Sequence, residues 1–139
     1  MQLTPYLNFK GDCEAAFKLY ERVLGGKILM LTRFGEAPED AQMPGAARDQ
    51  VMHVSMSIGE QMLMGSDCPA EYYQKPAGTS VSINVDDRDE GERIFKALAE
   101  GGTEQMAYSE TFWAEGFGMC VDRFGTPWMV NAGGKDLST

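Results

Sequence analysis

His53 is the only histidine among 139 residues, and it lies within an alternating stretch, Val51 to Ile58. Imidazole can serve as general base, hydrogen-bond partner or metal ligand near neutral pH. In an extended strand, successive side chains point to opposite faces. Met52, Val54, Met56 and Ile58 then share one face, and His53, Ser55 and Ser57 the other. The same reading of Thr79 to Val85 separates Val81, Ile83 and Val85 from Ser80, Ser82 and Asn84. In Thr4 to Phe9, Leu7 and Phe9 oppose Thr4, Tyr6 and Asn8. Three strands thus agree on a cleft of small polar groups, one tyrosine and one histidine, suited to hydrogen-bonding a small molecule. No nucleophile or paired acid stands beside His53. Two readings therefore stay open: a catalytic base, or a histidine bonded to a neighbouring strand or a dimer mate.

Other residues add weaker signals. Arg33 ends an apolar strand and either clamps an anion through paired hydrogen bonds or sits on a solvated edge. Trp113, with Phe112 and Phe117, either walls the cleft by stacking or packs in a core or dimer contact. Trp128 alternates onto the apolar side and is expected in the core. Met62, Met64, Met119 and Met129 either form an adaptable apolar surface for a ligand or fill gaps. Cys120 points inward with no adjacent base to make it a nucleophile. Glu36, Glu39 and Asp40 lie in a long loop, where a solvated surface is expected.

The elements that must hold these residues follow a repeated order. Thr4 to Phe9 reads as a strand, and Asp12 is placed to cap the helix after it. Ala16, Phe17, Tyr20, Val23 and Leu24 give that helix one apolar face, and Gly25-Gly26 ends it. A strand at Lys27 to Phe34 precedes a loop, Gly35 to Asp49. Val51 to Ile58 and Gln61 to Met64 form a hairpin around Gly59-Glu60. The order then recurs. After the strand Thr79 to Val85, Asp87 and Glu90 have capping-box spacing. Ile94, Phe95 and Leu98 make a helical stripe, and Gly101-Gly102 ends it. Strands follow at Thr103 to Ser109, Gly116 to Asp122 and Pro127 to Ala132. The chain reads as one α+β domain over 1–139: module one at about 1–67, a linker at 68–78, and module two at about 79–139.

Composition bounds the function. Twelve Lys and Arg against 21 Asp and Glu give a net charge of -9 with no basic cluster, which argues against nucleic acid and against anionic membrane. The acidic balance mildly favours a cationic ligand. One histidine excludes a metal site built on several imidazoles of one chain. Cys13, Cys68 and Cys120 are odd in number and widely spaced, so neither a disulfide framework nor a zinc knuckle is expected. No apolar run reaches a membrane span of about 18 residues, and no signal-peptide pattern opens the chain. A cytoplasmic protein is expected.

Two βαβββ modules resemble the plan of the vicinal oxygen chelate superfamily, which includes glyoxalase I, bleomycin-resistance proteins and extradiol dioxygenases. The sequence is similar in particular to its PhnB-like branch. Pro5 to Phe17, Met52-His53-Val54 leading to Leu63-Met64-Gly65-Ser66-Asp67, Val81 to Asp86, and Phe112-Trp113 through Phe117-Gly118, Asp122-Arg123-Phe124-Gly125 and Trp128 carry the likeness. The resemblance implies the glyoxalase/bleomycin-resistance fold: cupped mixed sheets with helices on the convex face and a cleft on the concave side. It also implies a homodimer, often with the cleft shared between subunits. Enzymes of the superfamily hold a divalent metal with four His, Glu or Gln side chains. The corresponding positions here are Thr4 or Pro5, Leu63 or Met64, Ser80 and Met129. None offers an imidazole or carboxylate, so no metal and no other cofactor is expected. Some members of the branch carry a ubiquinone-methyltransferase label. Methyl transfer is rejected here, because no glycine-rich turn of a parallel S-adenosylmethionine fold is visible.

Three functions compete. The first is a metal-free protein that binds a small molecule in the cleft formed by Tyr6, Asn8, Arg33, His53, Ser55, Ser80, Ser82, Asn84, Trp113 and Met129. The second is a lyase, isomerase or oxygenase-type enzyme acting on a small oxygenated compound, with His53 as base. The third places His53 with Glu60 or Asp67 around a metal at other positions.

Overall fold

The computed structural model describes residues 1–41 and 44–135. Gln42 and Met43 of the long loop, and residues 136–139 at the end of the second module, lie outside the described residues. The chain divides into two compact units, 1–74 and 75–139.

In the first unit, β1 (Tyr6–Phe9), α1 (Cys13–Leu24), β2 (Lys27–Arg33), β3 (Val51–Ile58) and β4 (Gln61–Asp67) follow in order. The strands lie side by side as β1-β4-β3-β2. β1 runs parallel to β4, and the other pairs are antiparallel. Cys13, Ala16, Phe17, Leu19, Tyr20 and Val23 bury one face of α1 against Phe9, Val54, Met56 and Leu63 of the sheet. Gly65 permits this approach: a Cβ there would stand 2.7 Å from the Phe17 ring and 2.8 Å from the Leu7 carbonyl oxygen. Gly25 ends α1 at φ 68°, in the left-handed region that glycine enters most readily.

Asp12 does not cap α1 through its side chain. The acceptor comes instead from Asp67, 55 residues away, whose Oδ1 accepts the N–H of Gly11 at 2.8 Å and of Cys13 at 3.0 Å. Its Oδ2 accepts the Val51 N–H at 2.9 Å. One carboxylate, 3% exposed, ties together the end of β4, the start of α1 and the start of β3. β4 therefore runs three residues beyond the expected Met64, carrying Asp67 beside Phe9 of β1. β1 begins at Tyr6, because Pro5 has no N–H to give a ladder. The loop 35–49 includes a 3-10 turn at Glu39–Ala41, and another, Phe34–Glu36, enters it.

The second unit repeats the plan. β5 (Val81–Val85), α2 (Arg88–Ala99), β6 (Thr103–Ser109), β7 (Ala114–Val121) and β8 (Pro127–Gly134) form a sheet in the order β5-β8-β7-β6. β5 is parallel to β8. Asp87 caps α2 by accepting the Glu90 N–H at 2.8 Å, and the Glu90 carboxylate pairs with Arg93 at 2.6 Å. Phe95 and Leu98 of α2 pack with Trp128, Val130 and Ala132 as the core. Asp122 organises the turn into β8. Its Oδ1 accepts the N–H of Phe124 and Thr126, and its Oδ2 accepts Trp128 Nε1–H at 2.8 Å.

Candidate functional site

Residues paired directly across a sheet share a face, so the registers define rows of neighbours. On the first sheet, Tyr6, Met64, Ser55 and Met30 form one row across all four strands, on the face away from α1. The next row holds Asn8 with Ser66, and His53 with Thr32. The expected alternation of Tyr6, Asn8, His53 and Ser55 is thus met within one helix-free face.

The structure also joins two of them. Tyr6 Oη lies 3.1 Å from His53 Nδ1, with ring centroids 5.8 Å apart and planes inclined by 27°. Tyr6 sits on β1, yet its phenol spans β4 to reach β3. Tyr6 is 46% exposed, so the pair is within reach of a small molecule. The face offers hydroxyls, a carboxamide, one imidazole, one phenol and the thioethers of Met30 and Met64. That set can hydrogen-bond a polar head and cover an apolar body.

Arg33 does not join this face. Its guanidinium donates to Glu14 Oε2 of α1 at 2.9 Å and to the Asp49 carbonyl at 3.0 Å. Neutralised by Glu14 and turned to the helix, it is not available there as an anion clamp. Glu14 is held below the usual carboxylate range, chiefly by this hydrogen bond.

Asp67 and Glu60 do not complete a metal site with His53. Asp67 pairs with Phe9, on the helix side of the sheet, and its oxygens are taken by three backbone N–H groups. Glu60 stands in the hairpin turn beyond Ile58. Among the described residues, no group of three or more His, Cys, Asp or Glu could hold a metal ion. At the positions the fold family uses for its metal, the first sheet offers Thr4 or Pro5 and Met64, Leu63 being buried. The second offers Ser80 and Met129. Hydroxyls and thioethers do not fit a hard or borderline divalent ion, and no step is assigned to one.

The helix-free face of the second sheet carries Ser82, Met129, Met119 and Met106 as one row, matching the first sheet's row strand for strand. The next row is Asn84, Asn131 and Phe117, with Ser109 at the edge. Trp113 Nε1–H donates to Asn131 Oδ1 at 3.1 Å, and its ring meets Phe117 and Phe112 edge-on. Trp113, Ser82, Asn84 and Met129 therefore belong to one face, and Ser80 directly precedes β5. Asn131 was missed in the sequence, although Trp128-Met129-Val130-Asn131 carries the same alternation. Cys120 pairs with Trp128 on the helix side, and burial pushes its thiol up to about 12. It is core, not nucleophile.

The comparisons with known proteins agree with this architecture. The sequence model of the family described as 3-demethylubiquinone-9 3-methyltransferase matches residues 1–131. Protein YjdN of Escherichia coli (strain K12) is 37% identical over 142 residues, covering 94% of this chain and 95% of its own. The structure of protein PA1353 from Pseudomonas aeruginosa superposes with a TM-score of 0.87 at 46% identity, covering 95% of this chain and 97% of that one. The PhnB protein from Bacillus cereus gives a TM-score of 0.80 over 95% of this chain and 99% of its own; at 22% identity it shows the fold alone. Structures titled as glyoxalase/bleomycin resistance protein/dioxygenase family members share that fold. The chain accordingly belongs to the family whose model is described as 3-demethylubiquinone-9 3-methyltransferase, and it has the glyoxalase/bleomycin-resistance fold.

Proposed function

We propose that this protein binds a small molecule on the helix-free face of its first sheet, without a metal. The hydrogen-bonded Tyr6–His53 pair carries the reading: the only imidazole of the chain is held by a neighbour on a face that also exposes Tyr6. Asn8 and Thr32 supply further polar contacts, and Met30 and Met64 an apolar bed; Ser55, on the same face, is buried. Within the second unit, Ser82, Asn84, Met129 and Trp113 make the corresponding face. Fragment titration followed by backbone NMR tests this. Saturable shifts at β1, β3 and β4 whose affinity falls about tenfold in His53→Ala support it; equal affinity in the variant refutes it.

Methyl transfer gains nothing from the geometry. Each sheet has one parallel pair and two antiparallel pairs. In the β1-to-α1 turn, the N–H groups of Gly11 and Cys13 are taken by Asp67 and do not face a cofactor phosphate or carboxylate. The enzyme reading with His53 as base ranks second, because among the described residues the one side chain hydrogen-bonded to His53 is the phenol of Tyr6.

The protein acts as a homodimer in this proposal. Leu29 and Met30 are exposed on β2, an edge strand, and exposed apolar edges favour a covering partner. Light scattering that gives a monomer mass at micromolar concentration would refute the dimer. The buried free thiols of Cys13 and Cys120 suit the reducing cytoplasm. No helix among the described residues is long and apolar enough to cross a membrane.

A further inference from the structure

We propose that Tyr6 is a positioning residue that fixes the tautomer of His53, so that the ring offers Nε2–H to an oxygen acceptor on the bound molecule. The inference rests on the binding role assigned to this face and names the chemistry that would be recognised there.

The contact joins Tyr6 Oη and His53 Nδ1 at 3.1 Å. A phenol is both donor and acceptor, and either ring nitrogen of a neutral imidazole can hold the single N–H. The two possible directions are unequal. A phenolic O–H is the more acidic donor, and a pyridine-type nitrogen is a stronger acceptor than a phenolic oxygen. The bond therefore runs from Tyr6 O–H to Nδ1. Nδ1 is then the acceptor, and the ring proton stands on Nε2.

Nε2 is free to use that proton. His53 makes no other hydrogen bond among the described residues. No buried side-chain nitrogen or oxygen among those residues lacks a partner. An unpartnered Nε2 must therefore be open to solvent. The neutral ring presents one aimed donor there and no acceptor.

This sets the class of ligand. A carbonyl, carboxylate or phosphonate oxygen can accept from Nε2–H, whereas an ammonium group finds only a second donor. The Tyr6 ring and the thioethers of Met64 and Met30, in one row, favour a flat apolar body attached to that oxygen. The same tautomer makes His53 a donor first. It can take up a proton at Nε2 only if Nδ1 supplies the N–H, which breaks the bond from Tyr6.

The single histidine makes the test clean. Histidine labelled with nitrogen-15 gives one imidazole, whose two nitrogens are told apart by their couplings to the ring protons. In the neutral ring of the free protein, the expected spectrum shows Nε2 protonated and Nδ1 shifted as a hydrogen-bonded acceptor. In Tyr6→Phe, which keeps the ring, the Nδ1 resonance moves to that of an unbonded pyridine-type nitrogen, and Nδ1–H gains population. Benzamide and benzoate, used as probes, shift Nε2 saturably, and benzylammonium does not. Loss of one hydrogen bond lowers benzamide affinity by about tenfold in His53→Ala.

An Nδ1–H tautomer in the wild type overturns the proposal, as does an Nδ1 resonance unchanged in Tyr6→Phe. Equal shifts with benzylammonium overturn the acceptor class. The expected tautomer with no response to any probe leaves the role of Tyr6 supported and overturns the binding role of the face.

Discussion

Replacing Asp67 by alanine should be the most damaging single change in the first unit. The carboxylate is 3% exposed and accepts three backbone N–H groups, from Gly11, Cys13 and Val51. Hydrogen bonds to a charged group contribute about 1.5–3 kcal/mol each, and they do not add in full when they share one acceptor. Alanine leaves the N–H groups of Cys13 and Val51 buried without an acceptor, at about 1–3 kcal/mol apiece. Water entering the vacated space recovers part of this, so the expected loss is about 3–5 kcal/mol. For a chain of this size that lowers the Tm by about 10–15 °C. Asp67→Asn keeps one oxygen for Gly11 and Cys13 but turns an NH2 toward the Val51 N–H, and should cost about 2 kcal/mol. Urea and thermal unfolding followed by circular dichroism read both, and amide exchange at Cys13 and Val51 should accelerate. An alanine variant within about 1 kcal/mol of wild type, or an asparagine variant worse than alanine, would refute the reasoning.

Further outcomes follow from other contacts. Gly118→Ala places a Cβ 2.6 Å from the Phe95 ring, so overpacking should cost about 1–3 kcal/mol in urea unfolding; an unchanged midpoint would contradict it. Burial raises the thiols of Cys13 and Cys120 well above the ordinary range, while Cys68 is raised less and is partly exposed. Iodoacetamide should therefore label native protein at Cys68 alone and all three cysteines after denaturation, as mass spectrometry would read. Glu14 has a depressed folded-state pKa because Arg33 is hydrogen-bonded to it. Its contribution is present above the unfolded value of about 4.3 and is lost as pH falls through the lower folded value. Glu14→Gln should thus destabilise by less than about 1 kcal/mol at neutral pH, the pair being 35% and 36% exposed. A stability gap that fails to narrow in acid would oppose this.

Local pattern carried much of this fold. Alternation placed Tyr6, Asn8, His53 and Ser55 on one face, and Ser82 and Asn84 on another, because sheets with a helix on one side separate apolar from polar residues. Half of the capping box at Asp87 and Glu90 forms: Asp87 accepts the Glu90 N–H within one turn, whereas the Glu90 carboxylate turns to Arg93. What was not legible is non-local. Asp12 looked like the cap of α1 by position, whereas Asp67 fulfils that task across 55 residues. The Tyr6–His53 bond depends on strand order and register, which no local pattern states. The place of Arg33 is also non-local: register shifts in the pairing of β2 with β3 set it opposite Val51, and Glu14 of α1 takes its guanidinium. Gly65, Ser66 and Asp67 show no apolar alternation, so the end of β4 was hidden. It is fixed instead by parallel pairing with β1.

The most direct test of the central claim is a titration of the protein with benzamide, followed by backbone amide NMR in wild type and His53→Ala. The account expects saturable shifts concentrated at Tyr6, His53, Ser55 and Met64, with affinity about tenfold weaker in the variant. Shifts confined to the helix side of the sheet, or equal affinity in the two proteins, would contradict it.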